Sequence, residues 1–545
     1  MTNQGWHHRV TRRTQVPCPV IKTSDSPLSL DAFSSRAPAK SNNKPRITKW
    51  MVVALVTTLL GSCLPAGYCL GVINTPQEII REWMRTAVLE RYDKELSAEE
   101  EISLWAVVVS IFVGGAIIGA SFGARLADGV GRRAALLLNH LLCFFSAVLL
   151  IWCKEFSSME MLIIGRFTCG LYAGLATCLV PLYLSEVAPA EYKGVMGVTF
   201  PLGLCAGLLI SQVLGMESIL GTACGWPYLI GGFIVVVTIA LLLHPILPES
   251  PTYCYVISMD DTKGLKELQR LRGDKKYIEV EVSSLRMLAS AGSKTRHGKA
   301  WGLLRVLQSH GYRMSLMICI TFNAGQQFSG INAVFFYSTL IFRTAGLDLH
   351  QSQIASIGAG IINFALSILA VPLIKHCKRR VLLLTSVALC ILCQVVLMVA
   401  LRLIPMSSYA PYVAIAALIF YVLVYGMGLG PVPFMIATEL FPVGPRSVGL
   451  SLSGTTNWLS NLIVGITFPL IQEILGELSF MLFITSSCLL FIFIYRFLPE
   501  TFGKEVMSLP HLSVEAQDND EGISTGTEAD SLEVRMGTHL YQVQL

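Results

Sequence analysis

ITFNAGQQFSGINAVFFY, residues 320–337, decides how the chain is read. The stretch is apolar enough for a membrane span, yet it carries four amide side chains: Asn323, Gln326, Gln327 and Asn332. At helical spacing Asn323, Gln326, Gln327 and Gly330 fall at i, i+3, i+4 and i+7, on one face. Each amide brings two donors, one acceptor and no charge. Leaving such groups unpaired in lipid is costly, so the face must meet another helix or a wet cavity. A lone amide reads as glue between helices; adjacent glutamines with two asparagines read as the polar wall of a cavity. Uncharged amides suit a ligand made of hydroxyls, because each can donate and accept at once. Gly330, close to Asn332, gives the helix a place to loosen and re-aim that side chain.

The rest of the chain puts this stretch in a membrane. Of 545 residues, 53% are hydrophobic and 14% charged, and the mean hydropathy is +0.60, far from a soluble composition. Apolar runs of about 20 residues, the length that crosses a bilayer, fall near 50–72, 103–125, 134–153, 161–184, 195–215 and 226–247. They resume near 313–341, 352–374, 381–403, 411–436, 447–472 and 477–498. This predicts an all-α membrane protein of twelve transmembrane helices in two six-helix bundles, 49–249 and 313–500. A cytoplasmic linker, 250–312, holds short amphipathic helices. Residues 1–48 and 501–545 are polar and are expected to be disordered cytoplasmic ends.

Charge sets the orientation. Nine Lys/Arg against two Asp up to Lys49, and a basic 250–312 loop, place both termini and the loop in the cytoplasm. The acidic run Glu95, Glu99, Glu100, Glu101 faces outward. The cysteines lie mostly in apolar runs and read as small buried hydrophobes. Neither a metal-ligand spacing nor a nucleophile–base pair stands out, so no cofactor and no enzyme is expected. Nucleic-acid binding does not fit either: the basic arm is short and suits topology or anionic lipid. Val543-Gln544-Leu545 matches the ending that PDZ domains capture by strand addition.

The two halves repeat. Asp128-Gly-Val-Gly-Arg132-Arg133 is echoed by Lys375-His-Cys-Lys-Arg379-Arg380, with the arginines 247 residues apart. Glu186 and Lys193 are echoed by Glu439 and Arg446, and Pro248-Glu249-Ser250 by Pro499-Glu500-Thr501. Each motif sits at the cytoplasmic end of a span. A duplicated six-helix unit with a site between the halves is a transporter architecture. Acid–base pairs at the inner rim can hold the halves in one state and release them in another.

These motifs resemble the sugar porter family of the major facilitator superfamily, and within it the facilitative hexose transporters of animals. The resemblance runs from about Lys49 to Lys504. It rests on GYCLGVINTPQ at 67–77, DGVGRR at 128–133, GRF at 165–167 and VPLYLSEVAP at 180–189. It continues through PESP at 248–251, QQFSGINAVFFYSTLIF at 326–342, ATELFPVGPR at 437–446, NWLSNLIVG at 457–465 and PET at 499–501. It implies the major facilitator fold, alternating access and a passive sugar path in the cell membrane. It places sugar binding on Gln326, Gln327, Asn332, Asn363, Trp458 and Asn461, and an outer-gate aromatic on Tyr337. Gating and inner-latch roles fall on Asp128, Arg132, Arg133, Arg166, Glu186, Lys193, Glu249, Arg379, Arg380, Glu439, Arg446 and Glu500. The chain departs from the family at Pro201, where a glutamine is usual and where a proline inside a helix would kink it. Further departures are Asn323-Ala324-Gly325, Gly426, Phe434, Lys375, Thr252 and Lys193. The family's proton-coupled members carry an aspartate where this chain has Cys69, which favours uniport of a hexose, glucose or fructose. The alternatives are a sugar sensor with the transporter fold, or a carrier of a related polyol, urate or dehydroascorbate.

Overall fold

The first long helix already shows how the chain behaves. α1, Lys49–Gly71, is apolar throughout and carries a π-helical turn at Leu59–Cys63. The computed structural model describes residues 47–502, apart from 274, 295–301 and 333–347. Nearly all of the N-terminal arm, the tail from 503 on, Tyr337 and the far part of the seventh span lie outside the described residues. So does the Val543-Gln544-Leu545 ending.

α2, Gln77–Tyr92, is a short amphipathic helix that ends on Asp93 at φ 50°. α3, Ala98–Val130, begins five residues before the expected span. The cause is local: Ser97 Oγ accepts from the Glu100 amide at 3.3 Å and the Glu100 carboxylate accepts from the Ser97 amide at 3.0 Å, a capping box. The last acid of the run, Glu101, is buried and pairs with Arg81 of α2 at 2.7 Å and with Arg85. α3 stops at Gly131, whose φ is 93°.

α4, Arg132–Trp152, and α5, Met159–Val187, follow. α5 is the most enclosed of the apolar spans, with 89% of its most apolar stretch buried. Its small residues allow that. A Cβ at Gly170 or Gly174 would fall 1.8 or 2.0 Å from the carbonyl oxygens of Phe112 and Ala116, so α3 and α5 meet backbone to backbone. The next span is divided at Val198 into α6, Lys193–Gly197, and α7, Thr199–Leu214. Pro201 therefore sits in the first turn of α7, where its missing N–H would find no intrahelical partner anyway. The chain breaks ahead of the proline and does not kink at it. α8 is Trp226–Ile246.

Both amphipathic stretches of the linker are helical: α9, Asp261–Arg272, and α10, Lys275–Lys294, followed by α11, Leu303–Gln308. Arg272 joins them to the bundle. It holds Glu281 of α10 at 2.7 and 2.8 Å and donates to the Val187 carbonyl, at the end of α5, at 2.7 Å. The second half comprises α12, His310–Phe328; α13, Leu349–His376; α14, Arg379–Leu403; α15, Ala410–Met427; α16, Val432–Leu440; α17, Val443–Leu475; and α18, Phe480–Phe497.

Among the described residues there is no strand, and ten helical stretches are long and apolar enough to cross a membrane. The last of them, Val443–Phe497, holds both α17 and α18, which are joined by a tight turn at Gly476–Ser479. The cysteines read as buried hydrophobes are free, and most are buried; Cys205 and Cys488 are partly exposed.

Candidate functional site

The amide stretch forms the core of a hydrogen-bonded cluster. Asn323, Gln326 and Gln327 lie on the inner face of α12, and all three are buried. The helix stops at Phe328, earlier than a continuous span requires. Gly330 takes φ 84°, and a Cβ there would meet the Phe483 ring at 2.6 Å. This turn swings Asn332 back, so that its amide donates to Gln327 Oε1. Gln327 Nε2 donates to Asn457 Oδ1 at 3.1 Å, and Asn461 Nδ2 reaches Gln327 Oε1 at 3.5 Å. Asn457 Nδ2 donates to Gln326 Oε1 at 2.7 Å and to Asn323 Oδ1 at 3.4 Å. Gln326 Nε2 is held by the carbonyls of Leu429 and Gly430 at 3.0 and 2.7 Å, in the break between α15 and α16.

Asn457 is the hub, yet it was not among the residues assigned to the substrate. The signal was its i, i+4 spacing from Asn461, which puts both on one face of α17.

The cluster lines an internal cavity with about 900 Å³ of space free of atoms, its opening included. Asn363 and Ser367 of α13 and Tyr425 of α15 add polar groups on the same side. The opposite wall comes from the first half: Leu70, Val198, Phe200, Pro201, Leu204 and Leu208 offer no hydrogen-bonding side chain. Cys205 is the exception, its sulfur accepting from Asn363 Nδ2 at 3.4 Å. Phe200 and Phe434, facing each other from the two halves, put their ring centroids 5.4 Å apart at the cavity wall. Trp458 also lines the cavity, but its N–H is engaged across the halves with Thr177 Oγ1 at 3.1 Å, and its ring stands edge-on to Phe112. It offers the cavity a ring and no free donor.

Most of the predicted latch residues divide into two clusters, each built within one half. In the first, Arg132 grips Glu186 through two bonds of 2.8 and 3.1 Å, lies 3.1 Å from Asp128, and donates to the Ala127 carbonyl. Ser250 Oγ adds a 2.6 Å bond to Glu186, and Glu249 accepts from the Arg133 amide. In the second, Arg379 holds Glu439 at 3.2 Å and donates to the Ile374 carbonyl. Thr501 binds Glu439 at 2.5 Å, and Glu500 accepts from the amides of Arg379 and Arg380. Tyr253 stacks on Arg132 and Phe502 on Arg379.

Three of the assigned residues lie outside these pairs. Arg166 is no part of either cluster: it lies twenty residues before Glu186 on α5, about 30 Å along a helix. There it donates to the carbonyls of Cys69 at 2.7 Å and Val108 at 3.4 Å, over the Phe112 ring. Lys193 and Arg446 stand outside the two ion pairs: Glu186 and Glu439 pair with Arg132 and Arg379, while Arg446 donates to the Phe441 carbonyl. The halves themselves are joined by a seam that the charged motifs did not reveal. Along α3 and α17, Ser121 meets Thr455 at 3.1 Å, the Ala124 amide donates to Ser451 at 2.7 Å, and Ser447 donates to Asp128 at 2.5 Å.

Comparisons with known proteins agree with this architecture. The family model for "Sugar (and other) transporter" matches residues 53–512. The facilitated glucose transporter member 4 of Bos taurus, of solute carrier family 2, is 37% identical over 85% of this chain and 90% of its own length. Member 1 of Gallus gallus is 35% identical over 84% of this chain and 92% of its own. Member 5 of Equus caballus is 33% identical, with 86% and 92% covered. Among solved structures, the major facilitator proton:xylose symporter XylE superposes with a TM-score of 0.73 at 24% identity, covering 86% of this chain and 98% of that one. These are carriers, not enzymes. An all-helical membrane chain with an amide-lined cavity between repeated halves, matched over this length, belongs to the sugar transporter family, in its solute carrier family 2 branch.

Proposed function

We propose that the protein is a facilitative hexose carrier, taking glucose or fructose across the cell membrane by uniport and alternating access, with both termini in the cytoplasm. The observation that carries this is the uncharged cluster of Gln326, Gln327, Asn332, Asn457 and Asn461 facing a carbon-lined wall inside an internal cavity. Amides donate to and accept from hydroxyls, and the leucines opposite suit the C–H surface of a sugar ring. The related transporters named for glucose support the substrate class.

Uniport rests on Cys69. Where the proton-coupled members of the family place an aspartate, a buried thiol contacts Cys169 and Tyr172. Among the described residues the enclosed carboxylates stand near span ends: Glu101, Asp128 and Glu186 are each paired with an arginine or held beside one. The relation to a proton symporter makes this the point to test. Labelled glucose and fructose uptake should proceed in cells lacking their own carriers and keep its initial rate when a protonophore collapses the proton gradient. Gln327→Leu should raise the half-saturation about tenfold or abolish uptake, as expected when a buried polar ligand contact is lost, with surface amount unchanged. Unaltered half-saturation in Gln326→Leu and Gln327→Leu would move the site elsewhere. Loss of initial uptake with the protonophore would remove uniport.

A further inference from the structure

Two thiols outside the cavity stand close enough to react with each other. Cys69 of α1 and Cys169 of α5 place their sulfurs 3.5 Å apart, and neither residue reaches solvent. The surroundings of this pair are polar. The Tyr172 hydroxyl donates to Cys69 Sγ at 3.1 Å, and Cys169 donates to Ser146 Oγ at 3.4 Å. Arg166 is anchored on the Cys69 carbonyl at 2.7 Å, which brings a guanidinium to the same pocket. An isolated thiol in an apolar span is an inert hydrophobe. A pair of sulfurs in contact, ringed by a phenol, an alcohol and a cation, is a dithiol.

We propose that Cys69 and Cys169 form an oxidation site, closed to a disulfide by a small uncharged peroxide. The balance is simple. One thiol attacks the peroxide, breaking the O–O bond, becoming a sulfenic acid and releasing water from hydrogen peroxide. The second thiol displaces the sulfenic oxygen, the S–S bond forms, and a second water leaves with the remaining thiol proton. Two thiols are oxidised and one peroxide is reduced. A disulfide needs about 2.05 Å between sulfurs, so closure draws the two atoms together by about 1.5 Å, within the reach of side-chain rotation and a small helix shift. Leu70, the next residue on α1, lines the cavity, so the clip joins the cavity wall to the most enclosed helix of the bundle.

The test is peptide mapping of the full-length purified protein. It is treated with hydrogen peroxide, quenched with N-ethylmaleimide, digested and read by mass spectrometry, with and without later thiol reduction. The expected result is a linked Cys69–Cys169 peptide pair that appears with peroxide, vanishes on reduction, and is absent from both Cys69→Ser and Cys169→Ser. Recovery of Cys69 and Cys169 as separately alkylated or singly oxidised peptides would overturn the proposal, as would a linkage from Cys169 to Cys143 in its place. If either serine variant fails to reach the membrane, the wild-type map decides by itself.

Discussion

The two charged clusters are copies of one design built to different depths. Each has an arginine gripping a glutamate, a hydroxyl on the same glutamate, a second glutamate accepting from a backbone amide of the arginine pair, and an aromatic ring on the guanidinium. In the first half Arg132 and Glu186 leave side-chain exposures of 1% and 0%, and Asp128 adds a second carboxylate. In the second, Arg379 and Glu439 stand at 5% and 19%, and the place of Asp128 is taken by Lys375, which turns to the ring of Tyr192. One cluster is a closed, buried triad that also reaches across the seam to Ser447. The other is a single pair near the surface. A repeat can keep its geometry while the energetic weight shifts to one copy.

The largest test of that contrast is paired removal of the arginines. Arg132→Gln strands two buried carboxylates and should cost about 3–5 kcal/mol. Arg379→Gln leaves one partly exposed glutamate and should cost about 1.5–3 kcal/mol. Thermal unfolding of the purified variants reads the difference, and equal losses would show the two copies to be equivalent.

The second test uses the glutamates below the arginines. Glu249 accepts from the amides of Arg133 and Ser250 with a single oxygen. Glu500 uses one oxygen for Arg379 and the other for Arg380. An amide can replace one acceptor oxygen but not two, so Glu500→Gln should lose about 1 kcal/mol and Glu249→Gln close to nothing. Burial also pushes the Glu249 carboxyl above its ordinary value, against the pull of the two amides. A raised carboxyl binds its proton more tightly in the folded chain. It therefore withholds stability above that value and returns it as the pH falls through it. Glu249→Gln should flatten this rise in stability as the pH falls towards the ordinary carboxylate range; an unchanged pH profile would place the carboxylate in an unburdened environment.

A smaller effect is expected at Tyr192. Tyr192→Phe keeps a ring for Lys375, while Tyr192→Leu removes it and should cost about 0.5–1 kcal/mol, seen as a lower midpoint only in the leucine variant. Smallest of all is Lys375→Asp. It exchanges the ring contact for a carboxylate at an exposed position across the helix break from Arg379, where a solvent-facing ion pair contributes about 0.2–1 kcal/mol. The midpoint should hardly move, and a large gain would mean that the second cluster can be rebuilt as deep as the first.

Much of this organisation was legible in the residues. Length and hydropathy marked the spans, and the amide face of 323–332 marked the cavity. The paired motifs marked both clusters, because an arginine and a glutamate at span ends are rare enough to stand out. What stayed hidden has physical reasons. The extension of α3 depended on two reciprocal bonds at Ser97 and Glu100. The height of Arg166 along α5 is a matter of counting turns, which a motif does not do. The seam of Ser447, Ser451 and Thr455 is written in residues that suit many environments, and only the facing helix gives them meaning. Pro201 looked like a kink because its neighbours are helical on both sides; the break at Val198 moved it to the start of a helix. Trp458 looked available because its partner, Thr177, lies 281 residues away.

The mutual pairing of the cavity amides has a consequence for turnover. Gln326, Gln327, Asn332, Asn457 and Asn461 are bonded to one another, so on the proposed function an incoming hydroxyl trades places with some of these partners. Such an exchange is close to thermoneutral: bonds made to the guest are offset by bonds released between hosts. A carrier working this way is expected to release its guest quickly and to half-saturate near the millimolar range, which corresponds to about −4 kcal/mol. A vessel that rests in its own embrace lets go as easily as it takes hold, and its throughput is set by how fast it turns over.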